Sequence, residues 1–230
     1  MGQSNWRSKG KGAFAWLLDF LFSRKCVFCG KVWSSDLPCP ECQRELPWLL
    51  GPEAEGRAEF VTRYAAALGY RDKVRQCVRA MKFRGKAGYL RTLGPITAQC
   101  ARDHFAGCFD LVTWVPLSGK SLRKRGFDQS RILAQYVARE FEMEPVALFE
   151  KHNWAGQQSL AKTAAARRAN VLGAFVLRKP ELARDRRVLL VDDIVASGAT
   201  LSECARLLRQ AGCREVLAVT CARPVEGKEV

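Results

Sequence analysis

The chain has 230 residues, 48% of them hydrophobic, which is enough for one main hydrophobic core and a smaller appendage. Lys and Arg outnumber Asp and Glu by 38 to 23, and the formal charge of +15 should attract anions such as phosphorylated small molecules or nucleic acid. The ten cysteines argue against a secreted disulfide scaffold, because four have metal-type spacing and the rest are scattered, so we expect a reducing, cytoplasmic location.

The first predicted element is an amphipathic helix over residues 13–22, AFAWLLDFLF. The basic residues Arg7, Lys9 and Lys11 precede it as in a signal peptide, but Asp19 interrupts the apolar run and no small-residue cleavage site follows. The run is about half as long as the ~20 residues that span a membrane. We therefore expect no membrane span and a helix that packs on the protein, with contact to a membrane or a partner as the alternative.

Four cysteines follow in the pattern C-x2-C-x9-C-x2-C: Cys26, Cys29, Cys39 and Cys42. Two such pairs on tight knuckles converge on one ion, and four thiolates leave no coordination position open for water. The spacing predicts a structural zinc site in a small zinc-ribbon-like module. The alternatives are two redox-active CxxC pairs or fortuitous spacing, and a zinc knuckle of this kind is also a candidate contact for nucleic acid.

Beyond the cysteines, residues 51–59, GPEAEGRAE, have the composition of a linker. We place a domain boundary near residue 55, which separates an N-terminal part, 1–55, from a main domain, 56–230. Strands and helices then alternate, which predicts an α/β fold with a mostly parallel sheet covered by helices on both faces. The predicted strands are 63–70, one ending in DLVTWVP, 146–149, 174–177, 188–192 and 215–222; the predicted helices are 71–82, 88–102, 127–142 and 199–211.

The most informative stretch is VLLVDDIVASGAT, residues 188–200. The apolar run is typical of a strand buried on both faces, and ligands of open α/β sheets bind beyond the carboxyl ends of strands, where Asp192 and Asp193 lie. A small-residue turn then leads into a helix whose N-terminal amides are suited to a phosphate group. A ribose 5-phosphate satisfies both halves, with hydroxyls on the acids and phosphate on the turn, which consists of Ala196, Ser197, Gly198, Ala199 and Thr200.

This stretch resembles the phosphoribosyl diphosphate (PRPP) motif of type I phosphoribosyltransferases, and the whole chain resembles the competence protein F (ComF) family. The supporting motifs are the four-cysteine N-terminus, MKFRGKAGYL at 81–90, VPLSGKSLRKRGFDQS at 115–130 and ARRANVLGAF at 166–175. The resemblance covers roughly residues 20–223. It implies a type I phosphoribosyltransferase fold and binding of PRPP together with Mg²⁺.

The resemblance also implies roles for two further segments. A diphosphate-binding segment follows the strand ending in WVP, where four cations within six residues can neutralise a leaving diphosphate; its candidate residues are Leu117, Ser118, Lys124 and Arg125. A hood over the active site would carry Gln158, Arg167 and Asn170. Asp128 stands where relatives often have Asn, and we assign it no ligand role. Lys82 and Arg84 are candidates to complete a basic rim, and the alternative for Lys82 is an ordinary lysine on a helix surface.

Two functions of different classes follow from these residues. In the first, the protein is a phosphoribosyltransferase that binds Mg²⁺ and PRPP, with Asp192 and Asp193 as catalytic residues, and transfers the ribosyl group to an acceptor that the sequence does not identify. In the second, it is a non-catalytic module that senses PRPP or binds nucleic acid or a partner in DNA uptake. Single-stranded DNA and a helicase-like competence ATPase are the candidate macromolecular partners. The acid pair favours PRPP over DNA. Carboxylates repel the phosphates of DNA, whereas they can bind the ribose hydroxyls of PRPP or a metal ion bound with it.

Overall fold

The computed structural model describes residues 24–152 and 171–225. Its central element is a five-stranded sheet. Its strands are Glu55–Ala58 (β1), Val61–Gly69 (β2), Leu111–Trp114 (β3), Arg187–Ile194 (β6) and Glu215–Arg223 (β7). They stand in the order β1-β2-β7-β6-β3, and every pair except β1 with β2 is parallel. A separate antiparallel ribbon pairs Phe149–Lys151 (β4) with Phe175–Leu177 (β5). The predicted mixed α/β fold with a mostly parallel sheet is confirmed.

Helices cover both faces of the sheet. The helices of the described residues are Pro40–Glu45 (α1), Asp72–Phe83 (α2), Leu90–Phe105 (α3), Gly119–Arg125 (α4), Gln129–Glu140 (α5) and Ala199–Gln210 (α6). On one face α2, α3 and α5 pack against Leu189 and Val191 of β6, and on the other α6 and the β4–β5 ribbon pack against Val188 and Leu190. This alternation explains why the VLLV run is wholly apolar: successive side chains of one strand enter two different cores.

The four-cysteine module packs on the face that carries α2 and α3. Cys26, Cys39 and Cys42 belong to the same cluster of buried residues as the core residues of those helices. The chain then runs beside β2, where the Leu49 N–H donates to the Ala67 carbonyl at 3.0 Å. The module and the sheet therefore share one hydrophobic core, and the boundary near residue 55 stays a prediction.

The prediction that residues 51–59 form a linker is wrong. Gly51–Ala54 form a 3-10 turn and Glu55–Ala58 form β1, which is paired with β2. Gly56 serves close packing rather than flexibility, because a Cβ there would lie 2.4 Å from the ring of Tyr64. Backbone pairing holds this strand, so its polar composition does not prevent it from joining the sheet.

The remaining predicted elements lie within a few residues of their observed bounds, but two short helices, α1 and α4, were not predicted. The basic segment after β3, predicted without a helix, contains α4, which begins after Ser118 and ends before Gly126. The Ser118 hydroxyl oxygen accepts a hydrogen bond from the Ser121 N–H, and Gly126 takes the left-handed conformation that ends many helices. The N-terminal helix predicted over 13–22 lies outside the described residues. In the part of the chain that the structure covers, no helix is both long and apolar enough to cross a membrane.

Candidate functional site

The turn between β6 and α6 has the features expected of a phosphate cradle. Gly198 has a φ of +74°, and a Cβ there would lie 3.3 Å from the Cβ of Ala58, so this position favours glycine. Ala196 and Ser197 are exposed. No side chain caps α6, which is also true of α1, α2 and α3, whereas Ser118 caps α4 and Asp128 caps α5. The first amides of α6 therefore have no side-chain acceptor among the described residues and can bind an anion.

A small cavity adjoins this turn. It has a volume of about 180 Å³ and lies between the turn and the residues that join β1 to β2. Ser197, Gly198 and Ala199 line one side, and Arg57 and Glu59 line the other. Sequence reasoning missed Arg57, because it lies in a stretch interpreted as a linker, and no local signal places it beside a turn some 140 residues later in the chain. Its guanidinium is a candidate second contact for a phosphate.

The two acids are buried at the carboxyl end of β6 and have different partners. Asp192, 8% exposed, accepts a hydrogen bond from the Ser130 hydroxyl at 2.9 Å through Oδ1. Asp193, 4% exposed, forms an ion pair with Lys82, whose Nζ lies 2.7 Å from its Oδ1. Gln129 donates to Oδ2 of Asp193 at 2.8 Å. Of the four carboxylate oxygens of these two acids, only Asp192 Oδ2 accepts no hydrogen bond from a described residue. It is therefore the oxygen best placed to accept one from a ligand.

Burial dominates the electrostatics of Asp192. It raises the pKa of this carboxyl to about 7, and the negative charge of Asp193 adds to that rise. Lys82 opposes the effect but lies against the neighbouring acid. An ionised Asp192 is therefore costly in the protein without ligand, and a hydroxyl donor or a cation bound there would stabilise the charged form.

The basic segment meets the acid pair at the same edge of the sheet, because β3 and β6 are parallel neighbours. Arg125 at the end of α4 donates to Gln129 Oε1 at 2.8 Å, and Gln129 in turn contacts Asp193. The guanidinium of Arg125 also lies 6.0 Å from the centre of the Phe83 ring. Lys124 is exposed on α4. The structure thus brings Arg125 to the acids through one intervening side chain, which the sequence alone did not indicate.

The predicted diphosphate contacts Leu117 and Ser118 already have partners within the protein. The Leu117 N–H donates to Asp128 Oδ2 at 3.3 Å, and the Ser118 hydroxyl caps α4. Asp128 also caps α5 by accepting from the Arg131 N–H at 3.2 Å. Burial raises the pKa of Asp128, while these backbone hydrogen bonds lower it. Asp128 therefore ties the basic segment to the start of α5, a positioning role that sequence reasoning left unassigned.

Lys82 was the other residue whose role the sequence left open. Of the two interpretations, basic rim or helix surface, the ion pair with Asp193 places it in the site. The hood residues Gln158, Arg167 and Asn170 lie outside the described residues. The described residues that flank that stretch are held together, since the His152 N–H donates to the Ala174 carbonyl at 3.0 Å beside the β4–β5 ribbon.

The four cysteines converge as their spacing predicts. The Sγ atoms of Cys26, Cys29, Cys39 and Cys42 all lie within 4.8 Å of one another. A tetrahedral ion with Zn–S bonds of about 2.3 Å needs sulfur atoms about 3.8 Å apart, so the cluster fits such an ion. Burial raises the pKa of Cys26, but backbone N–H groups lower it by more, to about 7. The group could bind a metal such as zinc.

Comparison with known proteins agrees with the fold and the motif. Residues 122–230 match the family model of the Phosphoribosyl transferase domain. The matched region includes the acid pair at the end of β6 and the turn that follows it. Competence protein F of Haemophilus influenzae is 30% identical over 148 residues, which are 60% of this chain and 63% of that protein. DNA utilization protein YhgH of Escherichia coli is 29% identical over 199 residues, 83% of this chain and 80% of that one. The resemblance to the competence protein F family is confirmed.

Three further matches have lower sequence identity. Competence protein ComFC of Bacillus subtilis is 24% identical over 189 residues, 81% of this chain and 72% of that protein. Two solved structures also match: an allosteric regulatory enzyme of purine biosynthesis, 23% identical with a TM-score of 0.38, and the glutamine PRPP amidotransferase of B. subtilis, 24% identical with a TM-score of 0.37. The two matches cover 61% and 60% of this chain and about a quarter of the length of each solved chain.

Proposed function

We propose that the protein binds Mg²⁺ and PRPP and transfers the phosphoribosyl group to an acceptor, in a pathway of DNA uptake or use. One observation carries this proposal: two buried carboxylates at the end of β6 lead directly into a glycine turn and a helix with no side-chain cap. This order places acceptors for sugar hydroxyls next to donors for a phosphate. The phosphoribosyl transferase domain match and the names of the relatives support it.

Each part of the site has a role in this reaction. The amides at the start of α6 would bind the 5-phosphate, and Asp192 would accept a hydrogen bond from a ribose hydroxyl. Asp193, held by Lys82 and Gln129, would keep negative charge beside the sugar as positive charge develops at C1. Arg125 and Lys124 would stabilise the diphosphate as the bond to C1 breaks.

The acid pair also fits the donor chemistry of Mg²⁺. This ion prefers oxygen ligands and is commonly held by one or two carboxylates together with waters and substrate phosphates. Mg²⁺, when bound, would neutralise charge on the diphosphate. Because Lys82 already engages Asp193, Asp192 is the better candidate for contact with the ion or its water shell.

Calorimetric titration of the full chain with PRPP in the presence of MgCl₂ tests the proposal. We expect binding by the wild type and none by the double variant Asp192→Asn with Asp193→Asn. Asp185→Asn is the matched control, because Asp185 is exposed, has a φ of +57° that Asn tolerates and does not contact the acid pair. Unchanged binding by the double variant, with its fold intact, would reject the assignment.

The second candidate function is a non-catalytic module that senses PRPP or binds DNA. Asp128 weighs against transfer with release of diphosphate, because its carboxylate already accepts a hydrogen bond from the Leu117 N–H in the predicted diphosphate-binding segment. Single-stranded DNA and a helicase-like ATPase would then be partners. Release of diphosphate, measured with PRPP, Mg²⁺ and a panel of purines, pyrimidines and single-stranded DNA, separates the two: binding without release with any acceptor favours the module.

We further propose that the four-cysteine cluster holds a structural zinc ion. Four thiolate ligands fill a tetrahedral ion, so the ion would stabilise the fold rather than bind substrate. The cluster belongs to the core that also contains α2, the helix that carries Lys82. Loss of zinc would therefore be expected to weaken the packing behind the acid pair.

A further inference from the structure

Gln129 is a buried amide between the basic segment and the acid pair. It is 3% exposed and is the first residue of α5, whereas Arg125 is the last residue of α4. The Gln129 Oε1 accepts a hydrogen bond from Arg125 Nη1 at 2.8 Å, and its Nε2 donates to Asp193 Oδ2 at 2.8 Å. One neutral side chain therefore separates a cation of the basic segment from an anion of the acid pair.

The charges on its two sides permit only one orientation of this amide. A guanidinium donates hydrogen bonds and accepts none, and an ionised carboxylate accepts them and donates none. The amide oxygen must therefore face Arg125, and the amide nitrogen must face Asp193. An ionised carboxylate at this position would repel Asp193, an ammonium group would repel Arg125, and an apolar side chain would bond to neither.

Asp193 is neutralised from another side. Its ion pair is with Lys82 of α2, whose Nζ lies 2.7 Å from Oδ1, and its Oδ2 is taken by Gln129. Arginine and carboxylate groups that meet directly favour a pair of parallel hydrogen bonds, which would compensate the charge of the guanidinium. Gln129 occupies the place that such a pair with Arg125 would need, so it acts as a spacer between the two charges.

Arg125 is held in place without losing its charge. Of its five N–H groups, one donates to Gln129, and the Phe83 ring centre lies 6.0 Å from its guanidinium. Neither an amide nor an aromatic ring cancels a positive charge, and no carboxylate within residues 24–152 and 171–225 forms an ion pair with Arg125. The side chain is only half-buried, so its other N–H groups can meet an anion.

We infer that Gln129 is a positioning residue, which directs Arg125 toward the diphosphate of PRPP and keeps it from pairing with Asp193. The inference rests on the proposed function, which supplies the anion that Arg125 receives. Gln129 itself touches neither diphosphate nor ribose and acts through Arg125. The two cations then have separate tasks, because Lys82 compensates the acid while Arg125 stays available to the substrate. A glutamine that merely filled space between α4 and α5 would affect folding but not the choice of anion.

Calorimetric titration of the full chain with two ligands, each in MgCl₂, tests this role. Inorganic diphosphate reports on Arg125, and ribose 5-phosphate reports on Asp192 and the turn before α6. Gln129→Met keeps the length of the side chain but removes both polar atoms. It should lower the affinity for diphosphate about tenfold, the effect of one hydrogen bond to a charged group, and change that for ribose 5-phosphate by less than about twofold. Gln135→Met, at an exposed position of the same helix, should change neither.

A double-mutant cycle shows whether Gln129 acts through Arg125. The variant that combines Arg125→Met with Gln129→Met should bind diphosphate no more weakly than Arg125→Met alone. Gln129→Asn keeps an amide that is one methylene too short to reach both partners, so it should show the same selective loss even where Gln129→Met does not fold.

Four results would overturn the inference while the proposed function stands. They are a diphosphate affinity that the Gln129 substitutions leave unchanged, equal losses for both ligands, losses from Arg125→Met and Gln129→Met that multiply, and a wild type that binds ribose 5-phosphate but not diphosphate. A wild type that binds neither ligand would instead overturn the proposed function, and the inference with it.

Discussion

The substitution Asp192→Asn should stabilise the protein without ligand while it abolishes PRPP binding. The amide keeps an oxygen that can accept the hydrogen bond from Ser130, and it removes a buried negative charge next to Asp193. In the wild type the pKa of Asp192 rises from 3.8 to about 7, first because the group is buried and then because of its charged neighbour. The variant therefore removes an unfavourable charge and leaves the packing unchanged.

The size and the pH dependence of this effect follow from proton linkage. The folded state binds the proton more tightly than the unfolded state, so the wild type loses stability as the pH rises from about 4 to about 7. The pKa rises by about three units, and each unit corresponds to about 1.4 kcal/mol. The variant can therefore exceed the wild type in unfolding free energy by at most about 4 kcal/mol at pH 8. At pH 5 the same calculation gives about 2 kcal/mol, because the folded-state carboxyl is then protonated.

Urea unfolding followed by circular dichroism at pH 5 and pH 8 measures both values. The difference between variant and wild type cancels pH effects from other groups, such as the cysteines. The comparison variant Asp193→Asn should lose about 1–3 kcal/mol, because it breaks the ion pair with Lys82. The reasoning fails if Asp192→Asn is less stable than the wild type at pH 8, or if its effect is equal at the two pH values.

Three further predictions concern the turn, the basic segment and the cysteine cluster. Gly198→Ala should weaken PRPP binding and cost about 1 kcal/mol of unfolding free energy, whereas Gly88→Ala, where a Cβ meets no atom within 4 Å, should leave binding unchanged in calorimetry. Asp128→Ala should cost about 1–2 kcal/mol, because α5 loses its cap and Leu117 its acceptor, and Asp128→Asn should recover part of this in thermal melts. Cys39→Ser should remove about one zinc ion per chain, as measured by elemental analysis, and lower the melting temperature; a zinc-free wild type that folds normally would contradict this.

Local patterns were sufficient to predict most elements of the fold. The run VLLV followed by two acids and a small-residue turn identified a buried strand, its carboxyl end and the start of the next helix, all of which the structure contains. The spacing of the four cysteines likewise predicted their convergence. These signals are readable because periodicity and spacing act over a few residues along the chain.

Short or polar elements were harder to predict. The helix α4 has seven residues, too few for a hydrophobic period, and begins and ends beside glycine-containing turns. The strand β1 has four residues and a polar sequence, and only its pairing with β2 makes it a strand. In both cases the local sequence is compatible with a loop, and contacts with the rest of the chain decide the outcome.

The sequence by itself determined most of the strands and helices along the chain, the four-cysteine cluster and the place where acids meet a phosphate-type turn. Only the tertiary structure decided that Lys82 neutralises Asp193 and that Asp192 is the costly carboxylate. The physical reason is distance along the chain: Lys82 and Asp193 are 111 residues apart, and their contact exists only because the sheet brings α2 to the end of β6. Charge and burial are properties of such assembled neighbours, which no local pattern encodes.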